Sequence, residues 1–261
     1  MRCNKCGSDA VFFQAYSGRH LCSRHLALDI EARAKRSIRS HRWMTPGDTL
    51  GAVIYGDRKS AALLYFLKNL TADRRDIRLC ALPDGGTATR TEGRSAAMEI
   101  AESLGIPVRN MPPGGTPAIA GTETVTRIAL AISLDDIAVR VLAQFLFGDA
   151  ERLIHPLQHC RGPVPVICPF ITIPSDELEM YAETGMPGTG LPERFPDRDA
   201  SLQEIKTFLD DYSRRHPATK YALLHIAEQL SGDNAALTAF PDTADSGSKD
   251  ETLSQRERPN S

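Results

Sequence analysis

The chain has 261 residues, 41% hydrophobic and 25% charged, with a formal net charge of −2. That length holds one large domain, or one domain with a small appended module, and the hydrophobic share suffices for an ordinary core. A near-neutral balance excludes wholesale attraction to polyanions, so nucleic acid would have to meet a local basic patch.

No run reaches the apolar length of a membrane span, and the opening MRCNKCG is not a signal peptide, so no membrane partner and a cytoplasmic setting are expected. Cys3, Cys6 and Cys22 crowd the start, whereas Cys80, Cys160 and Cys168 are scattered. That distribution predicts a metal site in a reducing compartment and not a disulfide framework.

Cys3-x2-Cys6 and Cys22-x2-His25 stand fifteen residues apart, a spacing that closes a tetrahedral site and predicts a zinc ribbon. With four protein ligands the zinc has no open position, so its expected role is structural. The stretch between the pairs supplies an apolar hairpin turning at Ser17-Gly18; His20, an alternative ligand, reads as an exposed turn histidine. Residues 26–42 form a helix carrying Arg33, Lys35, Arg36, Arg39 and Arg42 against only Asp29 and Glu31. This is either a surface that tracks an RNA backbone or a solvated helix face.

Residues 50–55 read as a buried strand, Gly56-Asp57 as a tight turn, and a helix opens near Ser60. Such a turn aims free helix amides at one point, which suits a phosphate. A second strand is expected over 76–83, a helix over 91–104 ending at Gly105, and a further strand from Ile106. Residues 111–121 are a Pro/Gly loop; 127–133 form a strand, and Leu134-Asp135-Asp136 opens a helix through Phe147, the acidic pair favouring its dipole. This alternation predicts an α/β fold with a doubly wound parallel sheet and ligands at the strands' carboxyl ends. Pro174, Ser175 and Asp176 start another helix, and 201–212 and 218–230 are helical, joined at His216-Pro217. Arg214, Arg215 and Lys220 read as a solvated joint, with RNA contact as the alternative. The remainder, rich in Ser, Asp, Thr and Glu, reads as a disordered tail.

Several of these segments together resemble the PP-loop ATP pyrophosphatase superfamily, in its cytosolic tRNA 2-thiouridine synthetase branch. The family's Ser-Gly-Gly-Lys-Asp-Ser loop falls on Tyr55, Gly56, Asp57, Arg58, Lys59 and Ser60, of which Gly56 and Ser60 match. Asp84-Gly85-Gly86 with Arg90 resembles the family's Asp-x-Gly…Arg stretch, and Leu134-Asp135-Asp136 and Gly148-Asp149…Arg152-Leu153 follow its later motifs. The N-terminal ribbon and the final His-Pro helices are also similar. The resemblance divides the chain into a ribbon (1–26), a basic linker helix (27–48), a PP-loop-like α/β domain (49–183), a C-terminal helical region (184–230) and the tail (231–261).

In the family, the loop holds ATP, a tRNA uridine is adenylated, and sulfur from cysteines or an iron–sulfur cluster expels AMP. The resemblance therefore implies a nucleotide site at Gly56, Arg58, Lys59, Ser60, Asp84, Asp135 and Asp136, with ATP and magnesium as candidate ligands. It implies tRNA as partner through Arg33, Lys35, Arg36, Arg39 and Arg42, and assembly as a homodimer or with an active relative. The departures are chemical. Lys59 reverses a charge in the loop, and Pro117-x2-Ala120-Gly121 stands where the family has Cys-x2-Cys-Gly, which counts against an iron–sulfur cluster. The expectation is a diverged tRNA 2-thiolation protein with weak or lost catalysis. The alternatives are an active thiolase using external sulfide and an interaction module with no RNA role.

Overall fold

A computed structural model describes residues 1–83, 91–109, 125–149, 164–186, 190–192 and 200–230. Asp84 and the 111–121 loop lie outside the described residues, as does the tail. The chain begins with an antiparallel hairpin, β1 (Phe12–Gln14) and β2 (Arg19–Leu21), followed by α1 (Ser23–Ser40). Gly18 adopts φ +66° in the hairpin turn, a conformation that costs glycine little.

The body is a four-stranded, fully parallel sheet made of β3 (Thr49–Ile54), β4 (Arg78–Pro83), β5 (Arg127–Ala129) and β6 (Val166–Ile167), in the order β4-β3-β5-β6. Its helices are α2 (Arg58–Thr71), α3 (Thr91–Ser103), α4 (Leu134–Leu146), α5 (Ser175–Gly185), α6 (Ala200–Arg215) and α7 (Thr219–Leu230). All six residues of β3 are buried, as a central parallel strand covered on both faces requires. At Gly51 a Cβ would stand 2.5 Å from Leu82 Cδ1, so the absence of a side chain permits the close packing of β4 side chains there.

The connections run from β3 outward to β4, then back across β3 to β5. The order therefore reverses between β3 and β5, and the crevice beyond their carboxyl ends is where such sheets hold ligands. β3 leads there into the Gly56 turn, and β5 leads into the start of α4. One hydrophobic core takes in Leu21 and Leu26 near the ribbon, Leu50 and Leu82 in the sheet, and Phe170 and Tyr181 beyond it. The ribbon is thus packed against the sheet domain and not strung out from it. Among the described residues, no helix is long and apolar enough to cross a membrane.

The strand expected from Ile106 is reduced to an isolated parallel bridge between Val108 and Ala81, and other boundaries shift. The α2 helix opens at Arg58, two residues before Ser60, because the Asp57 side chain caps it by accepting from the Ser60 amide. The β5 ladder stops at Ala129, short of the expected Ser133, although the Leu130 amide still donates to the Ile167 carbonyl at 3.0 Å.

Candidate functional site

The N-terminal cluster is built from two knuckles. Gly7, at φ +74°, lets the first turn fold back so that its amide donates to the Cys3 carbonyl at 2.9 Å. The Lys5 amide points at Cys3 Sγ at 3.4 Å. The ligand atoms of Cys3, Cys6, Cys22 and His25 all lie within 4.8 Å of one another. Cys6 and Cys22 sulfurs are 3.8 Å apart, and His25 Nδ1 stands 3.3 Å from Cys22 Sγ and 3.6 Å from Cys3 Sγ. A tetrahedron with metal–sulfur bonds of about 2.3 Å and metal–nitrogen bonds of about 2.0 Å has edges of roughly 3.8 and 3.5 Å, so these donors fit a zinc-sized ion. Burial pushes the Cys3 thiol up, but backbone amides of Cys22, Lys5 and Cys6 outweigh it and hold the thiol down to about 6. His20 does not join the cluster: its ring packs at a tilt against that of Phe13, its cross-strand partner, with centroids 4.6 Å apart.

At the second candidate site, the Gly56 turn has φ +82°, and a Cβ there would stand 2.3 Å from the Gly93 carbonyl oxygen of α3. Glycine is required on both counts. Several donors of this turn are engaged by the chain itself. The Ser60 amide donates to Asp57 Oδ1 at 2.8 Å, and the Arg58 amide donates to the Pro192 carbonyl at 3.0 Å. Arg58 Nε reaches the Leu191 carbonyl at 2.9 Å, and its guanidinium pairs with Glu183 at 3.2 Å. Lys59 Nζ bonds Asp136 Oδ2 at 2.6 Å, with side chains only 6% and 8% exposed. In this arrangement the Asp57 carboxylate occupies the helix start, where a phosphate would otherwise meet the Ser60 amide.

The acidic pair is equally committed. Asp136 forms a capping box with Ser133, whose amide and hydroxyl donate to Oδ2 at 2.9 and 2.7 Å. Asp135 accepts from the Ser175 amide at 2.7 Å and pairs with Lys220, which also holds Asp210 at 2.7 Å. Burial alone would lower the Lys220 pKa, yet these two carboxylates raise it. A small depression lined by Arg140, Gln203 and Lys206 among others, partly open to solvent, borders the acidic pair.

Of the five basic positions on α1 and just beyond it, two are internally paired. Arg33 turns inward to Glu177 and to Asp29, and Lys35 pairs with Glu31 at 3.1 Å. Arg36, Arg39 and Arg42 remain exposed. Lys220, read as part of a solvated joint, is instead a partly buried pivot between α4 and α6. Sequence reasoning missed Glu177: it looks like a dipole-favouring acid in a first helical turn, yet it is fully buried, and its main partner, Arg33, is 144 residues away.

Residues 2–27 match the family model of the 2-thiouridine synthetase TtuA N-terminal LIM domain. The tRNA 2-thiolation protein NcsA of Haloferax volcanii is 25% identical, over 88% of this chain and 87% of its own length. A protein of Methanocaldococcus jannaschii described as a "Probable sulfurtransferase" is 23% identical, over 86% of this chain and 77% of its own. In fold, the chain is similar to the solved U34-tRNA thiolase NcsA from Methanococcus maripaludis with its [4Fe-4S] cluster. The TM-score is 0.74 at 21% identity, over 89% of this chain and 87% of that one.

This neighbour corrects one expectation. The missing Cys-x2-Cys-Gly was read as counting against an iron–sulfur cluster, but a chain of this fold carries one. Cluster ligands converge in space from distant positions, so the loss of one local motif is no ground for exclusion, and Cys160 lies outside the described residues. The ribbon thus resembles the N-terminal domain of a 2-thiouridine synthetase, and most of the chain is similar to tRNA 2-thiolation proteins.

Proposed function

We propose that this chain is a diverged tRNA 2-thiolation protein that binds tRNA and has weak or lost ATP-dependent catalysis. The observation that carries this reading is the pairing of Lys59 with Asp136 beside the Asp57-capped helix. Adenylation needs positive charge and free amides placed in advance around the phosphates. Here those groups neutralise the protein's own carboxylates. The exposed Arg36, Arg39 and Arg42 are the tRNA-facing cations, and zinc in the Cys3, Cys6, Cys22 and His25 site is structural. The protein acts as a homodimer or beside an active relative.

The second reading, an active thiolase, draws on the cluster of the Methanococcus maripaludis enzyme. Under it, iron and acid-labile sulfide copurify with the chain in the absence of oxygen. Mass spectrometry of tRNA nucleosides from cells with and without the gene separates the two. An unchanged thiouridine pool is expected; a loss of thiouridine restored by this chain alone would reject the first reading.

A further inference from the structure

We propose that metal binding in the N-terminal hairpin and the stability of α5 are coupled through the buried carboxylate of Glu177, so that the ribbon is a metal-dependent lock on the wall of the PP-loop-like turn. The proposal rests on the reading of Cys3, Cys6, Cys22 and His25 as a metal site.

Glu177 is fully buried. Burial of an ion is sustained only when its partners are complete, and two of the three side-chain groups around Glu177 come from the hairpin. The Tyr16 hydroxyl donates to Oε1 at 2.8 Å, and Gln14 Nε2 donates to Oε2 at 3.3 Å. The third is the Arg33 guanidinium of α1, which also lies 5.7 Å from the centre of the Tyr16 ring. Gln14 Nε2 meanwhile bonds Asp29 at 3.1 Å, and the Tyr16 ring packs on Tyr221 of α7 at 5.1 Å. One carboxylate thus joins the hairpin, α1 and α5, with α7 at its edge.

The hairpin cannot hold these side chains in place by itself. Its strands are three residues each, and a two-stranded hairpin of that size is at best marginal in water. The metal ligands bracket it, Cys6 before β1 and Cys22 directly after β2, so ligation fixes both of its ends. Metal loss would release Gln14 and Tyr16 and leave Glu177 and Arg33 short of partners.

The far end of α5 meets the candidate nucleotide turn. Glu183 pairs with Arg58 at 3.2 Å, and a Cβ on Gly185 would stand 2.6 Å from the Tyr65 ring of α2. A change in the order of α5 therefore reaches the first turn of α2. Coupling of this kind is reciprocal: what metal does for α5, α5 does for metal affinity.

The test uses the full chain. Zinc affinity is measured by competition with a chromogenic chelator, and hydrogen exchange is followed in a peptide covering residues 175–185, with and without zinc. Wild-type protein is expected to hold one zinc, lost in Cys22→Ser, and zinc is expected to slow exchange across 175–185. In Gln14→Ala/Tyr16→Phe, zinc should bind about ten-fold more weakly, towards the low end of the usual coupling range, and exchange in α5 should no longer respond. Equal zinc affinity in variant and wild type would overturn the proposal, as would wild-type exchange in α5 that ignores zinc. If the double variant does not fold, the wild-type exchange comparison decides alone. Failure of the wild type to bind zinc, or its retention by Cys22→Ser, would sink the metal reading itself, a result distinct from loss of coupling.

Discussion

Lys59→Met keeps the alkyl stem of the side chain and removes its ammonium, leaving Asp136 charged in a site where it is 8% exposed. Removing one partner of a buried ion pair typically costs about 3–5 kcal/mol. Asp136 retains two donors, the amide and the hydroxyl of Ser133, which places Lys59→Met near the lower end, at about 3 kcal/mol. Asp136→Asn strands the ammonium and weakens the capping box, so it should cost about 4–5 kcal/mol, including about 1 for the cap. Together the two changes leave a neutral pair, and the double variant should lose only about 2 kcal/mol. Fluorescence of Trp43, the sole tryptophan and itself 4% exposed, reports urea unfolding. For a chain of this size Lys59→Met should also lower Tm by about 6–12 °C. If Lys59→Met were neutral within about 0.5 kcal/mol, or the two costs simply added, the pair would not exist in solution. Lys59 would then be free for phosphate, and the case for spent chemistry would fail.

Gly56→Ala should destabilise the fold by more than about 1 kcal/mol, since φ is +82° and the new methyl meets the Gly93 carbonyl; unchanged thermal stability would contradict the described turn. In tRNA binding, alanine at Arg36, Arg39 or Arg42 should each reduce the slope of log affinity against log salt by up to about 0.9. Arg33→Ala should leave that slope alone and instead lower stability, because Glu177 loses its buried counter-charge; the reverse ranking in filter-binding and melting assays would reject the assignment. Burial, helped by Glu177 at Tyr16 and Glu31 at Tyr181, raises those phenols, and Tyr221 is pushed up to about 12. The folded chain then keeps protons that the unfolded chain releases above the ordinary phenol value of 10.0. The corresponding stability is complete below that pH and is lost as pH climbs through the raised values. Phenolate absorbance of Tyr16→Phe, Tyr181→Phe and Tyr221→Phe variants should show each of these phenols ionising at higher pH in the folded than in the unfolded chain; ionisation at the unfolded value would refute this.

Local patterns carried much of the fold. The apolar run of β3, the helical period of Ala61, Leu64 and Tyr65, and the Leu134-Asp135-Asp136 start each placed an element that packing then kept. The ribbon was legible because its four ligands are paired at short spacing. The destinations of the charges were not legible. Lys59 sits next to Ser60 in a phosphate-type turn, and only the fold brings it to a carboxylate 77 residues away. Arg33 follows the spacing of a solvated basic face, but its position on α1 turns it into the seam with α5. Asp57 looks like damage to a glycine-rich loop, whereas in three dimensions it is a working helix cap. Periodicity states which face a side chain is on; it does not state which partner waits there.

The same physics explains why an anion site can persist without its anion. A helix start presents unpaired amides and partial positive charge, which some negative group must satisfy. In a phosphate-binding loop that group arrives from solution and loses its freedom on binding. Asp57 is covalently attached one residue before α2, so its carboxylate meets the Ser60 amide without that association cost. Asp136 does the same for Lys59, held in place by the Ser133 box. To enter, a triphosphate would have to displace a cap worth about 1 kcal/mol and compete with Asp136 for the Lys59 ammonium. At 1.4 kcal/mol per factor of ten, the cap alone subtracts about a factor of five from affinity. On the proposed reading, the geometry of the Gly56 turn is held by the chain's own side chains, so it should not depend on a nucleotide.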